Sequence, residues 1–143
     1  MIDLIDKQII QHLQNNARQS SEALAKQLDL SASTVRRRIN KLIENGTLRI
    51  IGYVNPLSFG LPITAVIGFD ISHDNIDSSI QQLSEKKEIF WLAAASGRYD
   101  VFTLALFHSN EELYNFMRKE VAELEGLRNS KTFICLHLQK EFV

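Results

Sequence analysis

The sequence predicts an α+β chain in two modules: three short helices ending in a strand, then a four-stranded sheet with helices on one face. Three observations carry this prediction. Apolar residues recur at spacings of three and four in three stretches before Gly46, and later stretches alternate at strand spacing around two more helical ones. Charge is divided: residues 1–52 hold eight Lys/Arg against five Asp/Glu, while the 143-residue chain has a net charge of −1, so the remainder is acidic. Both prolines, Pro56 and Pro62, fall with Gly60 inside 55–62, which reads as a linker between modules 1–54 and 63–143.

The first helix runs from about Asp3 to Asn16, with Ile5, Ile9, Ile10 and Leu13 as its apolar stripe. Ala17–Gln19 connects it to a second helix, capped by Ser20 or Ser21, with Leu24, Ala25 and Leu28 turned inward. Asp29-Leu30 makes a tight turn into a third helix over Ser31–Gly46. Ser31 caps that helix, Val35, Ile39, Leu42 and Ile43 bury one face, and Gly46 ends it. Its other face offers Arg36, Arg37, Asn40 and Lys41. Two helices joined by a short turn, the second with an exposed basic face, form the helix-turn-helix pattern of major-groove readers. The β-branched run Thr47–Val54 reads as a wing strand, which completes a winged helix-turn-helix.

In the second module Ile63, Ala65, Ile67, Phe69 and Ile71 share one face of a strand. A helix follows from Asn75 to about Lys86, then strands over Ile89–Ala95 and Val101–Phe107, joined by the turn Ser96–Asp100. Ser109 and Glu112 form a capping box for a helix that carries Leu113, Phe116, Met117, Val121 and Leu124 and stops at Gly126. Thr132, Ile134, Leu136 and Leu138 mark the fourth strand. The order βαββαβ is the ferredoxin-like plan. Phe102, Leu104 and Leu106 alternate with Val101, Ala105 and Phe107, so both faces of this sheet are apolar. Helices cover one face only, and the other predicts a second copy of the chain packed against it.

Candidate DNA contacts follow from residue chemistry. Arg36 and Arg37 suit the paired acceptors of guanine, and Ser31, Ser33 and Thr34 suit phosphate or base at a helix N-terminus. Lys41 and Arg49 suit phosphate. Arg38, three residues past Val35, flanks the buried stripe and is equally suited to an internal ion pair. Two-fold symmetry of a dimer predicts a roughly palindromic site. Three helices with a few solvated arginines also fit an ordinary bundle that only mediates protein contacts. The order of cap, turn, basic helix and strand argues against that. Gly97, Tyr99 and Asp100 are candidates for binding a small effector: glycine lets a ligand approach the backbone and a carboxylate can take an ammonium group. The same Gly-x-x-Asp also serves simply to close a hairpin.

Other chemistry is weakly supported. His12, His73, His108 and His137 are scattered, Cys135 is the lone cysteine, and no glycine-rich phosphate loop appears, so neither metal nor cofactor is expected. No apolar run approaches the roughly 20 residues of a membrane span. The start Met1–Asp6 lacks the basic region of a secretory signal, and a single cysteine fits a reducing compartment, which together predict a cytoplasmic protein.

Leu4-Ile5-Asp6 with Ile9-Ile10, Leu24-Ala25, Leu30–Val35, Arg38-Ile39, Leu42, Glu44–Leu48, Gly52-Tyr53, Pro56, Gly60, Gly97–Asp100 and Glu125–Thr132 occur in one order and spacing. In these the chain resembles the Lrp/AsnC (feast/famine) family of transcription regulators over nearly its full length. The resemblance implies a winged helix-turn-helix joined to a ligand-sensing ferredoxin-like domain and homodimers that often assemble into octamers. It also implies amino acids bound between dimers near Gly97–Asp100. A relative of this architecture acts as a sirohaem decarboxylase, which is the alternative reading. Two residues depart from the family pattern: Asp29 stands where glycine is usual, a position that Asp tolerates at positive φ, and Trp91 is large for its strand.

Overall fold

A computed structural model describes residues 1–138. The chain divides into two compact units, Met1–Gly52 and a second that begins at Tyr53. The predicted end of the second module, 139–143, lies outside the described residues.

In the first unit α1 spans Leu4–Asn15, α2 Ser21–Leu28 and α3 Ala32–Glu44. Each start is capped by the side chain that precedes it: Asp3 accepts from the Asp6 N–H, Ser20 from Ala23 and Ser31 from Thr34. The core joins Ile9 and Leu13 of α1, Leu24 and Ala25 of α2, and Val35 and Leu42 of α3, with Leu48 folded back against them. Asp29 ends α2 in the left-handed region at φ 53°, as its place in the turn requires. Gly46, at φ 75°, follows α3.

The expected wing is absent. Residues 47–54 form no strand. Instead the Leu48 N–H returns to the Leu42 carbonyl at 2.9 Å, and Leu48 sinks into the core. A strand needs a neighbour to complete its ladder, and the three-helix unit supplies none. Arg49 therefore lies on irregular backbone.

The second unit opens with a 3₁₀ turn, Leu57–Phe59, inside the expected linker. Then come β1 (Ile63–Ile71), α4 (Ile76–Ser84), β2 (Ile89–Ala94), β3 (Val101–Phe107), α5 (Asn110–Asn115) and β4 (Leu127–Ile134). The sheet is antiparallel in the order β2-β3-β1-β4, the ferredoxin-like arrangement. Ala65, Ile67, Phe69 and Ile71 of β1 and Val101, Ala105 and Phe107 of β3 are fully buried, packed with Leu83 of α4 and with Phe116, Val121 and Leu124.

Three elements differ from expectation. The last helix is not uniform: α5 passes into a π-helix over Phe116–Val121. Its wider turn brings Phe116 and Val121, five residues apart, to the core together. Glu112 reaches back to the His108 N–H at 2.5 Å, so Ser109 caps the helix without a reciprocal box. β4 begins at Leu127 and ends at Ile134, several residues before the strand expected around Thr132–Leu138. Arg128, Asn129 and Lys131 hide it in the sequence, because an edge strand carries polar side chains into solvent. In β2, an irregularity between Ile89 and Trp91 shifts the register, so Ile89 opposes Ala105 and Trp91 opposes Leu104. Trp91 thereby turns to the face without helices.

Candidate nucleic-acid interface and effector site

The three arginines of α3 part company. Arg36 Nη2 donates to Glu22 Oε1 of α2 at 2.9 Å across an exposed surface. Arg37 and Lys41 are exposed and make no ion pair among the described residues. Arg38 turns back to the start of α1, where Nη1 donates to both Asp3 Oδ2 and Asp6 Oδ1 at 2.7 Å. Sequence reasoning divided Arg38 between DNA and an internal pair, and the fold places it in the pair.

The two carboxylates that receive Arg38 are themselves fixed. Asp3 Oδ1 accepts from the Asp6 N–H at 2.8 Å, and Asp6 Oδ2 accepts from the Asp3 N–H at 3.1 Å. Each spends one oxygen on the capping box and the other on Arg38. The Asp6 amide, then the guanidinium, holds the Asp3 carboxyl below its usual value, and Asp6, then Asp3, raises Arg38. Sequence reasoning missed Asp3 and Asp6 as partners. Their spacing of three at a helix start was the available signal.

At the N-terminal end of α3 the hydroxyls form a small network. Ser31 Oγ accepts from the Thr34 N–H at 3.2 Å, donates to Thr34 Oγ1 at 2.8 Å and lies 3.0 Å from Ser33 Oγ. These groups first satisfy the helix end; Ser31 and Ser33 are exposed and Thr34 is half-buried. Arg49 is exposed on the segment after α3.

In the second unit the expected effector residues sit on the β2–β3 loop. Gly97 adopts φ 117°, which L side chains rarely take, and is open to solvent. The Tyr99 ring packs edge-on against Phe102, 5.7 Å between centroids, and lies over Gly68, where a Cβ would come within 2.9 Å of it. Asp100 is bound into the sheet: its N–H donates to the Phe69 carbonyl, its own carbonyl accepts from Ala95, and Oδ2 accepts from the Ile71 N–H at 2.8 Å. One carboxylate oxygen is thus structural. Nearby, Arg128 donates to the Ile71 carbonyl at 3.1 Å and approaches Asp70 at 3.6 Å. Among the described residues no three His, Cys, Asp or Glu side chains converge as a metal site, and no helix is long and apolar enough to cross a membrane.

Residues 2–43 match the AsnC-type helix-turn-helix domain, and residues 64–142 match the Lrp/AsnC ligand-binding domain. The chain belongs to the Lrp/AsnC family. An HTH-type transcriptional regulator of Pyrococcus furiosus is 32% identical over 141 residues, covering 98% of this chain and 95% of that one. The regulator Ptr1 of Methanocaldococcus jannaschii is 30% identical over 144 residues, covering 99% and 96%. Among solved structures, AsnC of E. coli superposes with a TM-score of 0.89 at 23% identity, covering 100% of this chain and 97% of that one. A Neisseria meningitidis transcriptional regulator in complex with L-Met gives 0.87, also at 23%, covering 99% and 94%. As a Lrp/AsnC protein the chain is a DNA-binding transcription regulator with a ligand-binding domain.

Proposed function

We propose that α3 enters the major groove with Arg37 as its principal base reader. The observation that carries this is the division of the arginines: Arg38 is committed to carboxylates, whereas Arg37 and Lys41 face outward with no ion-pair partner among the described residues. Arg36 joins Arg37 by exchanging the exposed Glu22 contact for a base or phosphate, a contact of the kind that contributes little in water. Ser31, Ser33 and Thr34 meet phosphate at the helix start, and Lys41 and Arg49 meet phosphate further along. Arg37→Ala is expected to lose about 1–3 kcal/mol for the preferred duplex at fixed salt. Unchanged affinity by fluorescence anisotropy refutes the assignment.

Dimerisation follows from the sheet. Trp91, Leu104, Val66 and Phe133 stand opposite one another across all four strands, on the face without helices. Trp91 and Phe133 are 47% and 50% exposed, so this row presents a continuous apolar stripe. A second copy packed on it spaces two reading helices over a roughly palindromic site. Phe133→Asp is expected to give monomers in sedimentation, and a monomeric wild type at micromolar concentration ends this reading.

The effector reading is an amino acid held near Gly97, Tyr99 and Asp100, where dimers meet in a larger assembly such as an octamer. The open backbone at Gly97, the half-buried Tyr99 ring and the neighbouring carboxylates and guanidinium suit a zwitterion. The L-Met complex of the N. meningitidis regulator supports the ligand class. A thermal-shift screen of the amino acids tests it: a ligand at a hundred times its Kd stabilises by about 2.7 kcal/mol. A flat response across the set removes the proposal.

A further inference from the structure

The Asp3–Asp6–Arg38 bridge joins the first turn of α1 to the middle of α3, across 32 and 35 residues of sequence. It is more rigid than a surface ion pair. Both carboxylates are pinned by the reciprocal amide bonds of the capping box, and Arg38 meets both with one nitrogen, Nη1. The side chains of Arg38 and Asp6 are only 25% and 14% exposed. Arg38 Nε is buried with no hydrogen-bond partner among the described residues, so this guanidinium is committed at a cost. Arg37 precedes Arg38 on the helix and Lys41 is one turn on, and both line the same recess of about 230 Å³ as Asp3, Asp6 and Arg38. One residue along an α-helix is about 100° of rotation, so anchoring Arg38 sets the azimuth at which the Arg37 side chain leaves the helix. The apolar contacts of Val35 and Leu42 hold α3 against the core but are non-directional.

We propose that Asp3 and Asp6, acting through Arg38, are positioning residues that set the rotation of α3. Arg38 then serves DNA recognition through Arg37 and Lys41 without touching DNA. This rests on α3 being the reading helix.

The test uses the full-length protein, a duplex selected from a random library on the wild type, and a scrambled duplex of the same composition. Anisotropy titrations at several salt concentrations follow each variant, below its melting transition by circular dichroism. Asp6→Asn is expected to weaken the selected duplex about ten-fold and leave the scrambled one within about two-fold, with the salt slope unchanged. Arg38→Gln gives the same pattern. The sign is diagnostic, because removing a carboxylate beside a basic face by itself strengthens DNA binding. Stronger binding of both duplexes by Asp6→Asn overturns the proposal. So does a salt slope lowered by about one in Arg38→Gln, the mark of a lost phosphate contact. Equal weakening of both duplexes shows a merely structural role and overturns it as well. If Asp6→Asn or Arg38→Gln does not fold, the more exposed Asp3→Asn decides by the same criteria with a smaller loss. Arg37→Ala in the same assay separates the failures. Unchanged binding there removes α3 as reader, whereas a loss beside an unaffected Asp6→Asn removes only the bridge.

Discussion

The N-terminal unit surrounds seven buried apolar residues, none aromatic, and ties its helices together at the surface with Arg38–Asp3/Asp6 and Arg36–Glu22. Among the described residues the C-terminal unit buries eleven, including Phe69, Phe107 and Phe116, and its strands are joined by backbone ladders. The difference matches what each must present. A DNA reader needs a charged face in a fixed orientation, which directional guanidinium–carboxylate bonds provide. The assembly proposed for the C-terminal unit needs apolar area, which a sheet covered on one face provides. The largest test of this contrast is the aromatic core. Phe69→Ala is expected to cost about 3–5 kcal/mol, read as a lowered denaturant midpoint in the fluorescence of Trp91, the only tryptophan. Leu24→Ala is expected to cost about 2–5 kcal/mol and to leave the Trp91 transition in place, because Leu24 belongs to the other core. A Trp91 transition that shifts equally in both variants would break the comparison.

A smaller effect is expected at the turn between α2 and α3. Asp29 holds φ 53° there, so Asp29→Val is expected to lose about 1–2 kcal/mol by circular dichroism, whereas Asp29→Gly stays close to the wild type. Loss by the glycine variant would mean that the carboxylate, and not the backbone, matters.

Asp29 also shows why most of the first unit is legible in the sequence. Caps, turn and apolar stripe are local patterns, and Ser20, Ser31 and Gly46 act where their chemistry places them. What escapes is set by partners remote in sequence. Thr47–Val54 has strand chemistry and no strand to pair with. β4 has the polar surface of an edge, and only its pairing with β1, Ala65 opposite Ile134 and Phe69 opposite Ser130, makes it a strand. Trp91 faces the open side because of a register shift that no alternation rule contains. The candidate site divides the same way. Arg37 is legible as an exposed position on a helix, but the partners of Arg38 lie at the start of another helix more than thirty residues away.

The second core contains one group at odds with its surroundings. Thr103 of β3 is fully buried, and its hydroxyl has no hydrogen-bond partner among the described residues. Valine has the same shape without the stranded oxygen. Thr103→Val is therefore expected to stabilise by about 1 kcal/mol, read as a raised denaturant midpoint. A lowered midpoint would mean that the hydroxyl is satisfied in solution.

The smallest expected effect separates the units by pH, since each carries an ion pair with a different cation. In the C-terminal unit Lys86 bonds to Glu120, which raises the Lys86 pKa against the opposing effect of burial. A raised pKa means that the bond stabilises fully below the unfolded-state value, about 10.4, and that this contribution is lost as pH rises through the folded value. In the N-terminal unit Arg38 stays charged throughout that range, because its pKa is raised further from an already high one. As pH rises from 9 past the unfolded-state value, the difference in melting temperature between wild type and Lys86→Met should hold at first and then begin to shrink. The difference between wild type and Arg38→Gln should hold over the same interval, apart from global changes common to both proteins. Were the Arg38 difference to fall with pH as well, the bridge at the start of α1 would depend on a titrating neighbour, and the contrast between a fixed reading unit and an adjustable platform would lose its electrostatic basis.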